Sequence, residues 1–378
     1  MSQICLILFL LWTGISCSAQ KTKPLSDAEL ADLAKNFNID NEEFKKFRPA
    51  PIAEKFVVEQ PGIIAENKDG LAYPTTPGKE EPKAQPTSVP ATVKTGKWPP
   101  KSPSKAPTPQ PTPVPASTPV PEVVEAAGSG GQFDGLDRQS ATFWSKFRKD
   151  FSSTEIQVIK IKYLGITVGH ITLRTMPDMR IGNVDTHHFR GELKSATYYE
   201  MLYKLDDVIE SFVAKANFLP VKYFLAQRES GKNIDDLQLF DHEKLKTYHW
   251  YKKEKKGEIS KAEKQGDLPK YFQDSFSALY FMRGLPAEKG LHYEFPVINR
   301  GKLYISKIDV IGSDKVNVMG KTYSAVMMRV TNNIPGVDDT KKDDMEIWFS
   351  ADENRILLKF KTKIKLGSAE GEIVQYDR

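Results

Sequence analysis

An antiparallel all-β domain is predicted for the C-terminal part of this 378-residue chain, on three observations. From residue 156 onward, short runs rich in β-branched and aromatic residues alternate with turn residues at hairpin-like spacing. Proline is concentrated before residue 122, and aromatic residues after residue 140. Only one stretch in the strand-like region, residues 273–286, carries a full set of helix signals. The parts predicted are residues 1–19, an export signal; 20–73, an arm; 74–131, a proline-rich linker; and 140–378, the β-domain. A domain of that size is long enough to bury a core.

The chain begins with an apolar run at residues 4–12, followed by small residues around Gly14, Ser16, Cys17 and Ala19. The run has the length of a signal-peptide core and is too short to span a bilayer as a stable helix. Met1-Ser2-Gln3 lacks the usual positive charge. Cleavage after Ala19 would release a soluble protein. Equally, Ile15-Ser16-Cys17 resembles the end of a bacterial lipobox, with Cys17 as the lipidated residue and Gly14 where Leu is preferred. Either way the expected location is the periplasm or the outer membrane, and no later stretch is long and apolar enough to span a bilayer.

In the arm, Ser26 and Glu29 have capping-box spacing, and Leu25, Leu30 and Leu33 suggest a short amphipathic helix. Residues 41–47 add another turn or two. Such helices are marginal alone, so a mostly disordered arm is expected, with docking onto the domain or a partner as the alternative. Asn36, Asn38 and Asp40 alternate like the start of a calcium loop. Asn41 and Phe47, however, stand where that loop needs its glycine and its bidentate glutamate. The linker centres on Pro107-Thr108-Pro109-Gln110-Pro111-Thr112-Pro113-Val114-Pro115. It reads as a semi-rigid spacer with a reach on the order of 150 Å.

Strands are predicted at 156–161, 163–169, 171–173, 184–193, 197–205, 208–216, 221–228, 237–240 and 245–251. After the helix they follow at 291–298, 302–311, 321–331, 345–349, 356–364 and 370–375. Gly165 and Gly169 suggest a bulge or a close backbone approach. The charged stretch 252–267 reads as an exposed, mobile loop. The helix is placed at about 274–283. Asp274 or Ser275 caps it, Gly284 and Pro286 end it, and Phe276, Leu279, Tyr280 and Arg283 share a buried face.

The stretch Gln273-Asp274-Ser275-Phe276-Ser277-Ala278-Leu279-Tyr280-Phe281-Met282-Arg283 has three companions. They are Leu164-Gly165-Ile166-Thr167-Val168-Gly169, Ile347-Trp348-Phe349-Ser350-Ala351-Asp352 and Leu366-Gly367-Ser368. In these the chain from about residue 152 resembles the bacterial domain-of-unknown-function family 3108. The resemblance implies an exported envelope protein with a curled, mostly antiparallel sheet, barrel-like or a spiral roll, and one inserted helix. It implies no reaction.

Candidate chemistry is sparse. The two cysteines, Cys5 and Cys17, exclude thiolate and Cys-zinc sites from the domain. A net charge of +5 gives no nucleic-acid footprint. Asp274, Ser277, Tyr280 and Arg283 are the candidate ligand-binding residues. Arg283 with Tyr280 on a concave sheet would suit a carboxylate or phosphate. The structural alternative is a helix cap plus a buried Arg283 paired with Asp241 or Asp352. No histidine neighbours Ser275 or Ser277, and no Gly-x-Ser-x-Gly elbow occurs, so no catalytic residue is assigned. His187 and His188 point to opposite faces of a strand, and His170, His242, His249 and His292 lack partners at ligand spacing; no metal or cofactor is expected. Asp206, Asp207 and Glu210, and Asp343, Asp344 and Glu346, are carboxylate groups of the kind glycoside hydrolysis needs. They also read as solvated turns. Tyr198, Tyr199, Tyr203, Tyr248, Trp250 and Tyr251 would line a groove or pack across strands.

The expected function is a non-catalytic cell-envelope protein whose β-domain binds a ligand or partner (protein, lipid or wall polymer) and is positioned by the spacer. Two alternatives stand beside it: a hydrolase of wall glycan or lipid, and a structural spacer between envelope layers.

Overall fold

The computed structural model describes residues 37, 39, 41–49, 131–148, 151, 154–333, 345–364 and 367–378. All belong to the unit formed by Met1–Gln60 and Gly130–Arg378. The predicted export signal with Cys17, most of the arm, the linker up to residue 130, and Asp343 and Asp344 lie outside the described residues.

Strand follows strand along the described chain: β1 (Ile156–Tyr163), β2 (Ile166–Ile181), β3 (Val184–Ser195), β4 (Asp206–Ala214), β5 (Pro220–Glu229), β6 (Lys232–Asp241), β7 (Lys246–Lys255), β8 (Glu258–Asp267), β9 (Gln273–Asp274), β10 (His292–Asn299), β11 (Lys302–Val318), β12 (Lys321–Asn333), β13 (Met345–Ser350), β14 (Leu357–Ile364) and β15 (Gly367–Asp377). They build one sheet in the order β8-β7-β6-β5-β4-β3-β2-β1-β15-β14-β13-β12-β11-β10-β9. The chain enters mid-sheet at β1, meanders out to β8, crosses to the far edge at β9 and meanders back until β15 pairs with β1. Every pairing is antiparallel except β9 with β10. The predicted curled, mostly antiparallel sheet is what forms, and it does not close, because β8 and β9 remain its two edges.

Bulges supply the bending. Pro177 and Asp178 face no regular partner between Met176 and Met179 of β2, where a residue without an N–H donor is tolerated. Gly312 adopts φ +128° beside the register shift in β11. The close backbone approach expected of the early glycines is found at Gly169, while Gly165 is a turn residue instead of a bulge. Gly165 sits at φ +82° in the β1–β2 turn, and a Cβ on Gly169 would lie 2.4 Å from the Lys194 carbonyl oxygen.

Among the described residues three α-helices accompany the sheet: α1 (Asp134–Trp144), α2 (Thr197–Glu200) and α3 (Ser277–Gly284). Helix α3 is the predicted inserted helix. It is buried all round, not on one stripe, with every residue from Ser277 to Gly284 enclosed. That is how a helix inside a sheet must look. Gly284 is its last residue instead of a left-handed stop beyond it; a Cβ there would lie 2.2 Å from the Phe147 ring.

Two predicted elements change. Residues 197–205 form α2 and a turn, not a strand. β3 and β4 already pair from Lys194 opposite Asp206, so the chain must reverse between them, and Tyr199 and Glu200 N–H groups fold back to the Ala196 carbonyl. The stretch 252–267 is not a loop: it completes β7 and forms the exposed edge strand β8. A lysine-rich strand is stable there because an edge open on both faces needs no apolar alternation, and its charges discourage edge-to-edge pairing.

The outer face of β5–β7 carries its own apolar cluster, Phe224, Leu237, Leu239, Tyr248 and Trp250, covered by Phe44 and Phe47. These two belong to a 3-10 helix, Glu42–Phe47, in the predicted arm. Phe44 meets Tyr248 and Trp250 edge-on at 4.9 and 5.0 Å, and Lys46 bonds Asp241 at 2.7 Å. Residues 41–49 of the arm are thus docked on the domain.

Candidate functional site

The predicted site residues all lie on α3 or its entry, and the structure gives each a protein partner. Asp274 Oδ1 accepts the N–H groups of Phe276 (2.8 Å) and Ser277 (2.7 Å), and Ser277 Oγ accepts the Asp274 N–H at 3.0 Å. This reciprocal cap satisfies the helix start without solvent. The second carboxylate oxygen takes the hydroxyl of Ser211 on β4 at 2.5 Å. Burial pushes the Asp274 carboxyl up to about 6, against the pull of Ser211 and the capping N–H groups. The folded state therefore holds this proton more tightly than the unfolded chain does. Its stabilising contribution is full below pH 4 and is lost as pH rises through about 6, a change of about 3 kcal/mol. Asn at this position keeps the capping oxygen. Urea unfolding of Asp274→Asn is expected to lack that part of the wild-type pH slope between about pH 4 and pH 6, and an unchanged slope would refute the assignment.

Arg283 is 3% exposed. Its guanidinium forms a bidentate pair with Glu155 at 2.7 and 2.8 Å and donates to the carbonyls of Asn354 and Arg355, each at 2.9 Å. The predicted partners Asp241 and Asp352 are corrected to Glu155, one residue before β1. No local pattern marks Glu155, because its pairing spans 128 positions. Asp241 instead bonds Lys46, and Asp352 caps the β13–β14 turn through Asn354 N–H at 3.1 Å and Arg355 N–H at 3.3 Å. Tyr280 stacks on Phe189 of β3 at 3.8 Å, and burial raises its phenol strongly.

Around α3 the interior divides into two kinds of surface. On one side is an apolar cavity of about 40 Å³, between α3 (Ala278, Leu279, Met282) and a wall that includes Ile159, Ile171 and Ile347. On the other side a polar row crosses four strands in register: Ser211, Tyr223, Gln238 and His249 on β4 to β7. Beside this row Asp236 is fully buried and pairs with His249 Nε2 at 2.9 Å and Arg300 Nε at 2.7 Å. Oε1 of Gln238 and of Gln273, His249 Nδ1 and both amide atoms of Asn299 have no hydrogen-bond partner among the described residues. Ser275 belongs to both surfaces, because it lines the cavity and interacts with the Tyr223 phenol. Burial and then Asp236 raise that phenol well above its usual range.

The sequence did not single out this row. Gln238 lies between Leu237 and Leu239, and His249 between Tyr248 and Trp250, so both read as the solvent side of a strand.

The remaining candidates disperse. Glu210 faces away from Asp207. It lies with His188 at 3.4 Å and Arg190 at 3.2 Å, which, with Lys222, lower its carboxyl despite burial. Asp207 is raised by burial and then by Glu229, a carboxylate the sequence reading had not paired with it. Glu229 is held by Tyr203 (2.6 Å) and Lys232 (2.7 Å). Glu346 lies 3.6 Å from Arg329. Tyr248 and Trp250 pack outside under Phe44, whereas Tyr251 sits under Arg300 at 5.0 Å, so the aromatics line no common groove. His187 lies 3.2 Å from Asp178. Among the described residues no group of three or more His, Cys, Asp or Glu side chains is placed to hold a metal ion.

The sequence pattern of a family described as a protein of unknown function, DUF3108, matches residues 158–374. The chain belongs to the DUF3108 family. No curated protein matches it. Three solved structures have similar outlines. One is a beta-barrel-like protein of domain of unknown function DUF1849 from Brucella abortus (14% identity, TM-score 0.39, covering 60% of this chain and 97% of that one). Another is a candidate lipoprotein from Parabacteroides distasonis (9%, 0.29, 61% and 99%). The third is a candidate exported protein with a YmcC-like fold from Bacteroides fragilis (6%, 0.29, 62% and 100%). No helix among the described residues is long and apolar enough to cross a membrane. In this DUF3108 domain two of the quoted motifs meet. The turn that Asp352 caps presents the Asn354 and Arg355 carbonyls to Arg283 at the end of α3.

Proposed function

We propose that this is a non-catalytic, exported envelope protein whose curled sheet binds an amphiphilic ligand beside α3. Only the tip of the ligand's apolar part, about the size of one or two methyl groups, fits the cavity of about 40 Å³ along Ala278, Leu279 and Met282, and its polar part reaches the row beside Ser275. The observation carrying this reading is the concentration of unpartnered buried polar atoms on the concave face next to an apolar cavity. Folded proteins pair nearly all such atoms, so a cluster of exceptions calls for a partner that is not protein. Pockets built for small molecules are mainly apolar with a few convergent polar groups. In this reading Asp274, Ser277, Tyr280 and Arg283 fix α3 in place, and Ser275 borders the ligand. The envelope location rests on the signal-like segment at residues 1–19 and on Cys17.

The test is the chain purified from its envelope fraction, extracted with organic solvent and analysed by mass spectrometry, beside a variant with Ala278→Val. A co-purifying amphiphile is expected in near-stoichiometric amount, and several-fold less of it with Ala278→Val, whose urea unfolding should stay cooperative with an unchanged m-value. Equal recovery from both proteins, or none from either, would sink the reading. The hydrolase alternative would have to use Asp207, whose carboxyl burial raises, beside Glu229, which lies 2.7 Å from Lys232. Both are sealed at 3% and 4% exposure, which favours the binding reading.

A further inference from the structure

Among the described residues seven large apolar side chains are exposed, and five of them gather on one rim of the sheet: Leu164, Ile166, Tyr198, Met201 and Leu202, at 59 to 88% exposure. Leu164 lies in the β1–β2 turn and Ile166 opens β2, and the other three belong to the β3–β4 connection. The antiparallel meander puts these connections side by side, next to the β14–β15 turn. The Tyr198 hydroxyl donates to the Thr167 carbonyl, fixing the two connections together. A Cβ on Gly367 would lie 2.8 Å from a Leu164 methyl, so the third turn touches them as well. This rim contains one of the motifs by which the chain resembles its family and Gly367 of another, and the cavity accounts for neither.

Leu164 is unfavourable twice over. It sits at φ +49°, a backbone region that bulky residues avoid, and its side chain is 67% exposed. A polar Asn or a Gly would relieve both costs, so the apolar tip points to an apolar partner. The chemistry around the tips selects that partner. Exposed Lys194, Lys204 and Lys363 flank them without an ion pair among the described residues, with Glu200 and Asp206 as the carboxylates nearby. A protein interface core is depleted in lysine. Aliphatic tips with tyrosine at their base and lysine around them match the layers of a bilayer interface: hydrocarbon, headgroup and phosphate.

We infer that this rim rests on an anionic lipid bilayer. Leu164, Ile166, Met201 and Leu202 enter the acyl boundary, Tyr198 sits at headgroup depth, and Lys194, Lys204 and Lys363 meet lipid phosphates. The inference stands without the cavity reading, since it uses none of its residues.

Hydrogen–deuterium exchange tests it locally, so binding through other parts of the chain does not confuse the result. The full chain carrying Cys17→Ser, which removes the lipidation candidate, is exchanged alone, with phosphatidylcholine vesicles, and with mixed phosphatidylcholine–phosphatidylglycerol vesicles. Several-fold slower exchange is expected at residues 163–167 and 197–204 with the mixed vesicles, and a smaller effect with phosphatidylcholine alone. Ile166→Ser combined with Leu202→Ser should abolish the slowing and leave the melting temperature unchanged, because both side chains are exposed. Three results would overturn the inference: no slowing with vesicles, slowing retained in the double variant, or slowing that depends on protein concentration without vesicles, which would make the partner a second copy of the chain.

Discussion

Arg283→Ala is expected to cost about 3–5 kcal/mol of folding stability and lower the melting temperature by roughly 10 °C. The loss comes less from the ion pair than from what stays behind. Glu155 is 7% exposed and would lose its paired guanidinium, while the Gln157 amide still donates to it at 2.7 Å. The carbonyls of Asn354 and Arg355 would lose their donor as well. An isolated buried carboxylate is far costlier than a paired one. Replacing both partners, with Arg283→Met and Glu155→Gln, should recover much of the deficit, because no uncompensated charge then remains. Urea unfolding of the three variants measures this. An Arg283→Ala protein that melts within a degree or two of wild type would mean that the guanidinium does not hold the fold, and would return Arg283 to the ligand-binding residues.

The second large effect is expected at Phe281, which is fully buried. Its ring lies 4.2 Å from Trp144, 5.0 Å from Phe147, 5.2 Å from Phe295 and 6.0 Å from Phe218. These rings belong to α1 and the segment after it, to β10, and to the β4–β5 connection. One side chain thus joins α1, α3 and strands from both arms of the meander. Phe281→Ala removes a ring whose neighbours are themselves fixed by packing, so the cavity cannot collapse, and a loss of about 3–5 kcal/mol is expected. Phe281→Leu should lose less than half of that. The order of the two midpoints in urea, with unchanged m-values, is the check. Equal losses would indicate that the aromatic cluster does not tie these elements together.

Much of the β-domain was legible because strand patterning is local. The predicted stretches 184–193, 221–228 and 345–349 reappear as β3, β5 and β13 with their ends shifted by up to two residues. The helix, too, announced itself through Asp274, which does cap it. The errors came where the neighbours of a segment decide its state. Residues 197–205 are as β-prone as a strand, but they connect two strands that already pair with each other. The lysine-rich stretch 258–267 becomes a strand only because β7 offers it an open edge.

The sequence by itself determined the β-rich architecture, the interior helix with its cap, and the absence of cysteine from the domain, because each depends on residues close together in the chain. The tertiary structure alone decided which side of a strand is inside. In β6 the leucines of Leu237-Gln238-Leu239 face outward under Phe44 and Phe47, while Gln238 faces the interior beside Tyr223 and His249. Alternation separates the two faces of a strand, but the same pattern serves whichever face is covered by what. Here a docked segment of the arm covers the outer face and a buried helix the inner one. The pairing of Glu155 with Arg283, across 128 positions, has the same origin: a charge finds its partner in space, and nothing in the neighbouring residues encodes where that partner is.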